Sequence, residues 1–258
     1  MKKAVEICGL ILYVHLDPMH SMSDHIAVVI AAYNEEDSIR AVVAEVRSAL
    51  EGLGRESEII VVNDGSTDGT ASAVRGSDCT LLSIAYNVGK GAASQLGFRY
   101  AMKRGCDTVI QLDADGQHPA GEICRLLEPL RQASADVVIG SRFMGNGGSH
   151  STFGRRIGIR YFNILQGILI RQKITDSTSG FRAMNRRGLA LCVEQYPDQY
   201  PEPEAIVLFR RHDMRITEVP VTMNKRRAGH SSIDAFDSLL YMFNVTLAML
   251  MTVLRTHH

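Results

Sequence analysis

The 258-residue chain has no surplus of either charge, since 28 Lys and Arg offset 28 Asp and Glu. A general nucleic-acid binder carries a positive surplus, so that class is excluded. Cysteine is scarce and odd in number, at positions 8, 79, 106, 124 and 192, with no C-x-x-C pair. That argues against a zinc site and a disulfide framework and for a reducing compartment. The G-x-G-x-x-G dinucleotide fingerprint is missing, and "NVGKGAA" (87–93) lacks the spacing of a P-loop. There is no internal repeat and no low-complexity linker. The longest uncharged stretch, Ser238 to Leu254, is 17 residues, interrupted by Asn244, Thr246 and Thr252. It is at the lower limit for a bilayer span, so a helix lying on a membrane or packing on a partner is expected. The alternative is a helix buried against its own domain.

What is present is ordinary globular composition, 45% hydrophobic and 22% charged, enough for a sizeable core without staples. The charge is unevenly placed. Residues 1–140 hold 12 basic against 19 acidic residues, whereas 141–190 hold 9 basic and one acid, Asp176, for a net +8. Within that segment "RRIGIRYFNILQGILIRQK" (155–173) alternates arginine with apolar residues, as in an amphipathic helix facing something anionic and partly apolar. The opening "MKKAVEICGLILYVHLDPMHS" looks like a weak signal peptide, but Glu6 interrupts it and no small-residue cleavage site follows. It reads as a dispensable extension over 1–23, with Met22 a natural start.

Short Val/Ile/Leu runs recur at 26–31, 58–63, 80–85, 108–113 and 136–141, and helical patterns lie between them. This alternation predicts an α/β fold with a mostly parallel central sheet, buried on both faces and joined by right-handed crossovers. Asn34 or Asp37 is expected to cap the first helix. Ligands of such sheets bind outside the carboxyl ends of the strands, here "AAYNEED", "NDGSTDGT", "DADGQHP" and "GSRF". Neither "DGSTDG" nor "DADGQH" is an EF-hand: Arg75 stands where the first needs Glu, and His118 where the second needs Gly. Asp64, at a strand end, suits a base N–H or a ribose hydroxyl, and Asp68 a helix cap. Asp113 and Asp115, two apart along a strand, share a face and repel unless a cation lies between them. Mg²⁺ takes one or two carboxylates plus substrate phosphates, with Gln117 a further neutral oxygen and His118 a weaker ligand. Gly89 and Gly91 would admit a phosphate, with Lys90 as counter-charge. Arg142, Arg182 and Arg226 are expected on anions, whereas Arg186 and Arg187 are read as solvated.

In order, "AAYNEE", "IIVVNDGSTDGT", "NVGKGAA", "QLDADGQHP", "VIGSRF", "DSTSGFRAM" and "RRAGHSSI" resemble the family 2 glycosyltransferases of the GT-A fold. The branch is that of dolichol-phosphate mannose synthases and polyprenyl-phosphate sugar transferases, and the likeness runs from Ile26 to Ile233. It implies a base and ribose pocket of Ala31, Tyr33, Glu35, Val62 and Asp64. Asp113, Ala114 and Asp115 would carry Mg²⁺ or Mn²⁺ and the sugar diphosphate, with Gln117 as third ligand. Arg142 and one of Arg155 and Arg156 would face the acceptor phosphate, Arg226 would close over the diphosphate, and Arg182 and Ser231 complete the substrate contacts. The chain departs from the family in having Ala31 where Pro is frequent and Ser232 where Lys often follows the loop serine. The long membrane region of some relatives is missing. "YPEPEAI" (200–206) is also unusual, and there Glu204 is favoured over Glu202 as base, should the acceptor be a hydroxyl.

The resemblance implies an inverting, metal-dependent transfer of a hexose, from a donor of the GDP-mannose or UDP-glucose class to a polyprenyl or dolichyl phosphate. The enzyme would be peripheral on the cytoplasmic face of the membrane. A saccharide hydroxyl acceptor and a silent nucleotide-sugar-binding scaffold are the alternatives. The expected organisation is a 24–233 catalytic domain, with nucleotide-sugar (24–141) and acceptor (142–233) halves. A 234–258 helix, amphipathic or apolar, follows and would meet the membrane, a second copy or a membrane protein.

Overall fold

The structure, a computed structural model, describes residues 2–7, 10–15, 25–144, 153–224 and 235–254. Arg226 and Ser231 lie outside the described residues, as do the side chains of Arg155 and Arg156. Near the start, strands β1 (Lys2–Ile7) and β2 (Leu10–His15) pair antiparallel in a sheet of their own.

The main sheet has seven strands: β3 (Ile26–Ala32), β4 (Ser57–Asp64), β5 (Thr80–Ile84), β6 (Thr108–Asp113), β7 (Val137–Ser141), β8 (Arg182–Asn185) and β9 (Ile216–Pro220). Their spatial order is β5-β4-β3-β6-β8-β7-β9. Every pairing is parallel except the two made by β8, which runs antiparallel between β6 and β7. The sheet is therefore mostly parallel, as the alternating runs predict. The inserted strand is the departure, for "FRAMN" reads in sequence as part of a loop.

Both faces of the sheet are buried, which is why its strands are continuous apolar runs instead of alternating ones. Ile26, Val28 and Ile30 pack with α1 (Ile39–Glu51) and α4 (Ile123–Arg131), beside the short α2 (Thr70–Val74). Ala27 and Val29 face the other way, into a core shared with α3 (Lys90–Lys103), α5 (Phe153–Ile170), α6 (Arg186–Gln195), α7 (Pro201–Arg211) and α8 (Ala235–Leu254). Helix α8 divides the two sequence expectations. It buries Val245 and Met249 in the core and leaves Phe243, Leu247 and Met251 exposed. Among the described residues, no helix is long and apolar enough to cross a membrane.

The expected cap of α1 is not made. The helix starts after Ser38 without a side-chain cap bond. Asn34, with φ 54°, instead accepts the Thr67 amide at 2.9 Å and donates its own amide to Ser66 Oγ at 3.0 Å. Glu36 accepts the Gly69 amide at 2.7 Å and donates its own amide to Asp68 at 3.2 Å. The polar residues after β3 and β4 thus staple two loops together. Asp68 also accepts the Thr70 amide at 2.9 Å, but the N-cap of α2 is Gly69, which makes no side-chain cap bond, so Asp68 is not the cap expected of it.

Candidate active site

The carboxyl ends of β3, β4 and β6 open on a cleft of about 290 Å³, lined by Ala31, Ala32, Tyr33, Glu35, Asp64, Asn87, Gly89, Lys90, Asp113, Ala114 and Asp115. Each side chain arrives for a local reason. Parallel pairing sets Ala31 beside both Val62 and Asp113, so three strands end level. Asp64 accepts the amides of Val88 at 2.8 Å and Gly89 at 3.0 Å, which pins the loop leading into α3. Strand β6 ends at Asp113, and Asp115 lies beyond it, in a turn made by Gly116 at φ 75°. The Gln117 amide donates to Asp115 Oδ1 at 3.0 Å and fixes that turn. The two carboxylates do share one cleft, but through a turn and not through strand periodicity.

Lys90 meets this anionic end. Its ammonium lies 2.7 Å from Asp113 Oδ1 and 2.5 Å from Glu202 Oε1. Burial opposes its charge, but the Asp113 and Glu202 carboxylates outweigh burial and push its pKa up. Burial likewise opposes the charge on Asp113, yet the Lys90 ammonium beside it holds that carboxyl at about 2. Gly180 explains the tight fit, since a Cβ there would lie 2.9 Å from both Asp113 Oδ1 and Lys90 Nζ. His118 is buried, stacks on Phe181 at 5.0 Å and accepts the Asp113 amide on Nδ1 at 3.0 Å. Burial pushes its pKa down, so the neutral ring carries its proton on Nε2, 3.8 Å from Asp113 Oδ2.

A second polar layer supports the first. Asp176, fully buried, takes Arg142 Nε and Nη2 at 2.7 Å each and the Arg142 amide at 3.0 Å. Glu218 in turn accepts the backbone amides of Thr175 at 2.8 Å and Asp176 at 2.9 Å. Arg142 is thereby held in one orientation, although burial opposes its charge. Arg182 corrects an expectation. It is 0% exposed and donates to the carbonyls of Ser179 at 2.9 Å and Glu202 at 2.5 Å. It clamps the segments that carry Gly180 and Glu202 and is not presented to an anion.

The family model described as "Glycosyl transferase family 2" matches residues 27–191, which contain all the residues that line the cleft. The chain belongs to glycosyl transferase family 2. Among its relatives is an undecaprenyl-phosphate mannosyltransferase of Micrococcus luteus, 32% identical over 81% of this chain and 87% of that protein. A polyprenol monophosphomannose synthase of Mycolicibacterium smegmatis is 31% identical over 84% of each chain. Among solved structures, glucosyl-3-phosphoglycerate synthase of Mycobacterium tuberculosis, in complex with Mn²⁺, UDP and glucosyl-3-phosphoglycerate, superposes with a TM-score of 0.70. It is 22% identical and the match covers 91% of this chain and 81% of that one, a likeness that shows the GT-A fold.

Within this family 2 glycosyltransferase, the structure gathers Ala31, Tyr33, Glu35, Asp64, Lys90, Asp113, Ala114 and Asp115 at one cleft. Other expected residues are placed elsewhere. Val62 is 0% exposed, with its side chain in the core against Gly97 of α3. Glu204 accepts from Thr252 Oγ1 of α8 at 2.8 Å, while Glu202, two residues earlier, reaches Lys90. Gly91 is glycine because its Cβ position is filled by the carbonyls of Pro197 and Asp198. Its amide donates to Asp198 O at 3.2 Å and is not offered to a phosphate. Arg186 pairs with Asp107, and Arg187 donates to the His212 carbonyl. Asn87, Gly180 and Asp176 were not singled out from the sequence as parts of the site. Among the described residues one cluster has metal-ligand geometry, His25, Glu58 and Cys106, with ligand atoms within 4.8 Å of one another. It lies at the opposite end of the strands from the cleft, where Glu58 is already bonded to Thr80 Oγ1 and Arg104.

Proposed function

We propose that the enzyme is an inverting, metal-dependent hexosyltransferase that moves a sugar from a nucleotide diphosphate to a polyprenyl or dolichyl phosphate. The observation that carries this is the convergence of Asp64, Asp113 and Asp115 on one cleft beside Tyr33 and Glu35, in a chain whose curated relatives glycosylate lipid phosphates. The donor set fits a hard divalent ion, because two carboxylates face the cleft and one already holds a cation, the Lys90 ammonium. Asp113 and Asp115, with Gln117 as the proposed third ligand, would hold a Mg²⁺ or Mn²⁺ ion, which would supply charge neutralisation for the leaving diphosphate. The solved relative with Mn²⁺ and UDP supports that choice.

The chain's own residues do the rest. Tyr33 and Glu35 flank the base and ribose, and Asp64 fixes the loop that presents Lys90. Lys90 adds positive charge where negative charge develops on the leaving group. Arg142, oriented by Asp176, faces the acceptor phosphate, with Arg155 or Arg156 beside it and Arg226 closing over the diphosphate. A phosphate acceptor is already ionised near neutral pH and needs no strong general base. Should the acceptor be a saccharide hydroxyl, Glu202 is the base the geometry offers, not Glu204.

Exposed apolar stripes on α5 and α8 suit a membrane surface. Tyr161, Ile164 and Ile168 on α5, and Phe243, Leu247 and Leu254 on α8, are all exposed, up to 70% at Ile168 and 72% at Leu254. Tyr161 joins the helices by a 3.0 Å hydrogen bond to Thr246. Exposed Arg160 and Arg171 add attraction to anionic headgroups, about 1 kcal/mol for each basic residue near the surface. These faces support a peripheral position at the membrane, for which we propose the cytoplasmic side. Purified protein incubated with Mn²⁺, undecaprenyl phosphate and GDP-mannose or UDP-glucose should yield a lipid-linked hexose detectable by mass spectrometry. Transfer only to saccharide hydroxyls would contradict the lipid-phosphate reading.

A further inference from the structure

We propose that Lys90 is a built-in counter-cation that occupies the metal's place on Asp113 and yields it on metal binding. This rests on the reading that Asp113 and Asp115 hold a divalent ion. The Lys90 ammonium lies 2.7 Å from Asp113 Oδ1, so an ion on that oxygen would sit beside a like charge that repels it. Gly180 presses on the pair from behind, for the Cβ it lacks would touch both Asp113 Oδ1 and Lys90 Nζ.

The backbone of Lys90 does not need to move for the exchange. The amides of Val88 and Gly89 are held by Asp64, so α3 starts at a fixed point. Glu202, 2.5 Å from the same ammonium, supplies a second anchor on which the long side chain turns. Lys90 leaves Asp113, keeps Glu202, and faces into the cleft that it already lines. Among the described residues, the Lys90 ammonium is the cation that Asp113 and Glu202 share beside Asp115, because Arg142 is committed to Asp176. The exchange therefore joins two events: the ion takes Asp113, and the released ammonium becomes available to the diphosphate. Lys90 is thus a residue that weakens binding of bare metal and strengthens binding of metal together with a nucleotide diphosphate.

A double-mutant cycle of Lys90→Met and Asp113→Asn, read as Mn²⁺ affinity without nucleotide by electron paramagnetic resonance, tests this. Direct competition predicts that Lys90→Met tightens Mn²⁺ binding about tenfold when Asp113 is present and less than about twofold in Asp113→Asn. Equal tightening in both backgrounds would show only loss of a distant charge and overturn the proposal, as would no tightening in either. Failure of the metal reading is seen separately, as Mn²⁺ binding in Asp115→Ala equal to that of the parent. Lys90→Gln replaces Lys90→Met if melting shows that the latter has not folded.

Discussion

Arg142 and Asp176 form a two-pronged ion pair in which Nε and Nη2 lie 2.7 Å from separate oxygens of one fully buried carboxylate. The pair joins the end of β7 to the loop before β8. Removing one partner leaves the other charge buried alone. Arg142→Met should therefore lower the free energy of unfolding by about 3 kcal/mol, measured by urea denaturation. A loss below about 0.5 kcal/mol would show the pair to be structurally dispensable.

Gly180→Ala should leave the melting temperature within about 4 °C of the parent, because the atoms it meets are the flexible ends of Asp113 and Lys90. It should nonetheless displace that pair and weaken metal-dependent nucleotide binding about tenfold. Unaltered nucleotide affinity by calorimetry would show that the pair tolerates the displacement.

Glu202→Gln and Glu204→Gln separate two neighbouring carboxylates. Glu202→Gln loosens Lys90 and should lower kcat/KM about tenfold or more, whereas Glu204→Gln loses only a hydrogen bond to α8 and should cost about 1 kcal/mol of stability with kcat/KM nearly unchanged. The reverse pattern in steady-state kinetics would restore Glu204 to the site.

Glu202, not the Glu204 favoured from the sequence, is the one that reaches Lys90. On a helix, residues two apart point roughly 200° from each other, so only one of Glu202 and Glu204 can face the sheet's carboxyl edge. Which one does so depends on how α7 docks, and no local pattern records that. Arg182 misled for a similar reason. A guanidinium wholly buried on two carbonyls is unusual, and its partners are Ser179, nearby, and Glu202, twenty residues later. Strand β8 escaped notice because "RAMN" is short and its burial comes from insertion between β6 and β7. What local pattern does encode came through well. The Val/Ile runs marked β3, β4, β6 and β7, and strand-end carboxylates marked the cleft, because parallel strands finish level at one edge. Asn34 was expected to cap α1, but Asn34, Glu36 and Asp68 staple two loops, a role that shows only once both loops are adjacent.

The apolar stripes of α5 and α8 give a separate expectation. Ile168→Asp combined with Phe243→Asp should reduce sedimentation with vesicles of phosphatidylglycerol about tenfold, while the melting temperature stays within about 3 °C because both side chains are exposed. Unchanged sedimentation would assign those faces to another contact.

The proposed chemistry is centred on the metal–nucleotide cleft. Isothermal titration of the protein with UDP and GDP, with and without Mn²⁺, and of Asp115→Ala in parallel, tests it most directly. The expected result is binding of one nucleotide that strengthens at least about tenfold with Mn²⁺ and loses that gain in Asp115→Ala. Binding that ignores the metal, or an Asp115→Ala protein that binds as tightly as the parent, would contradict it.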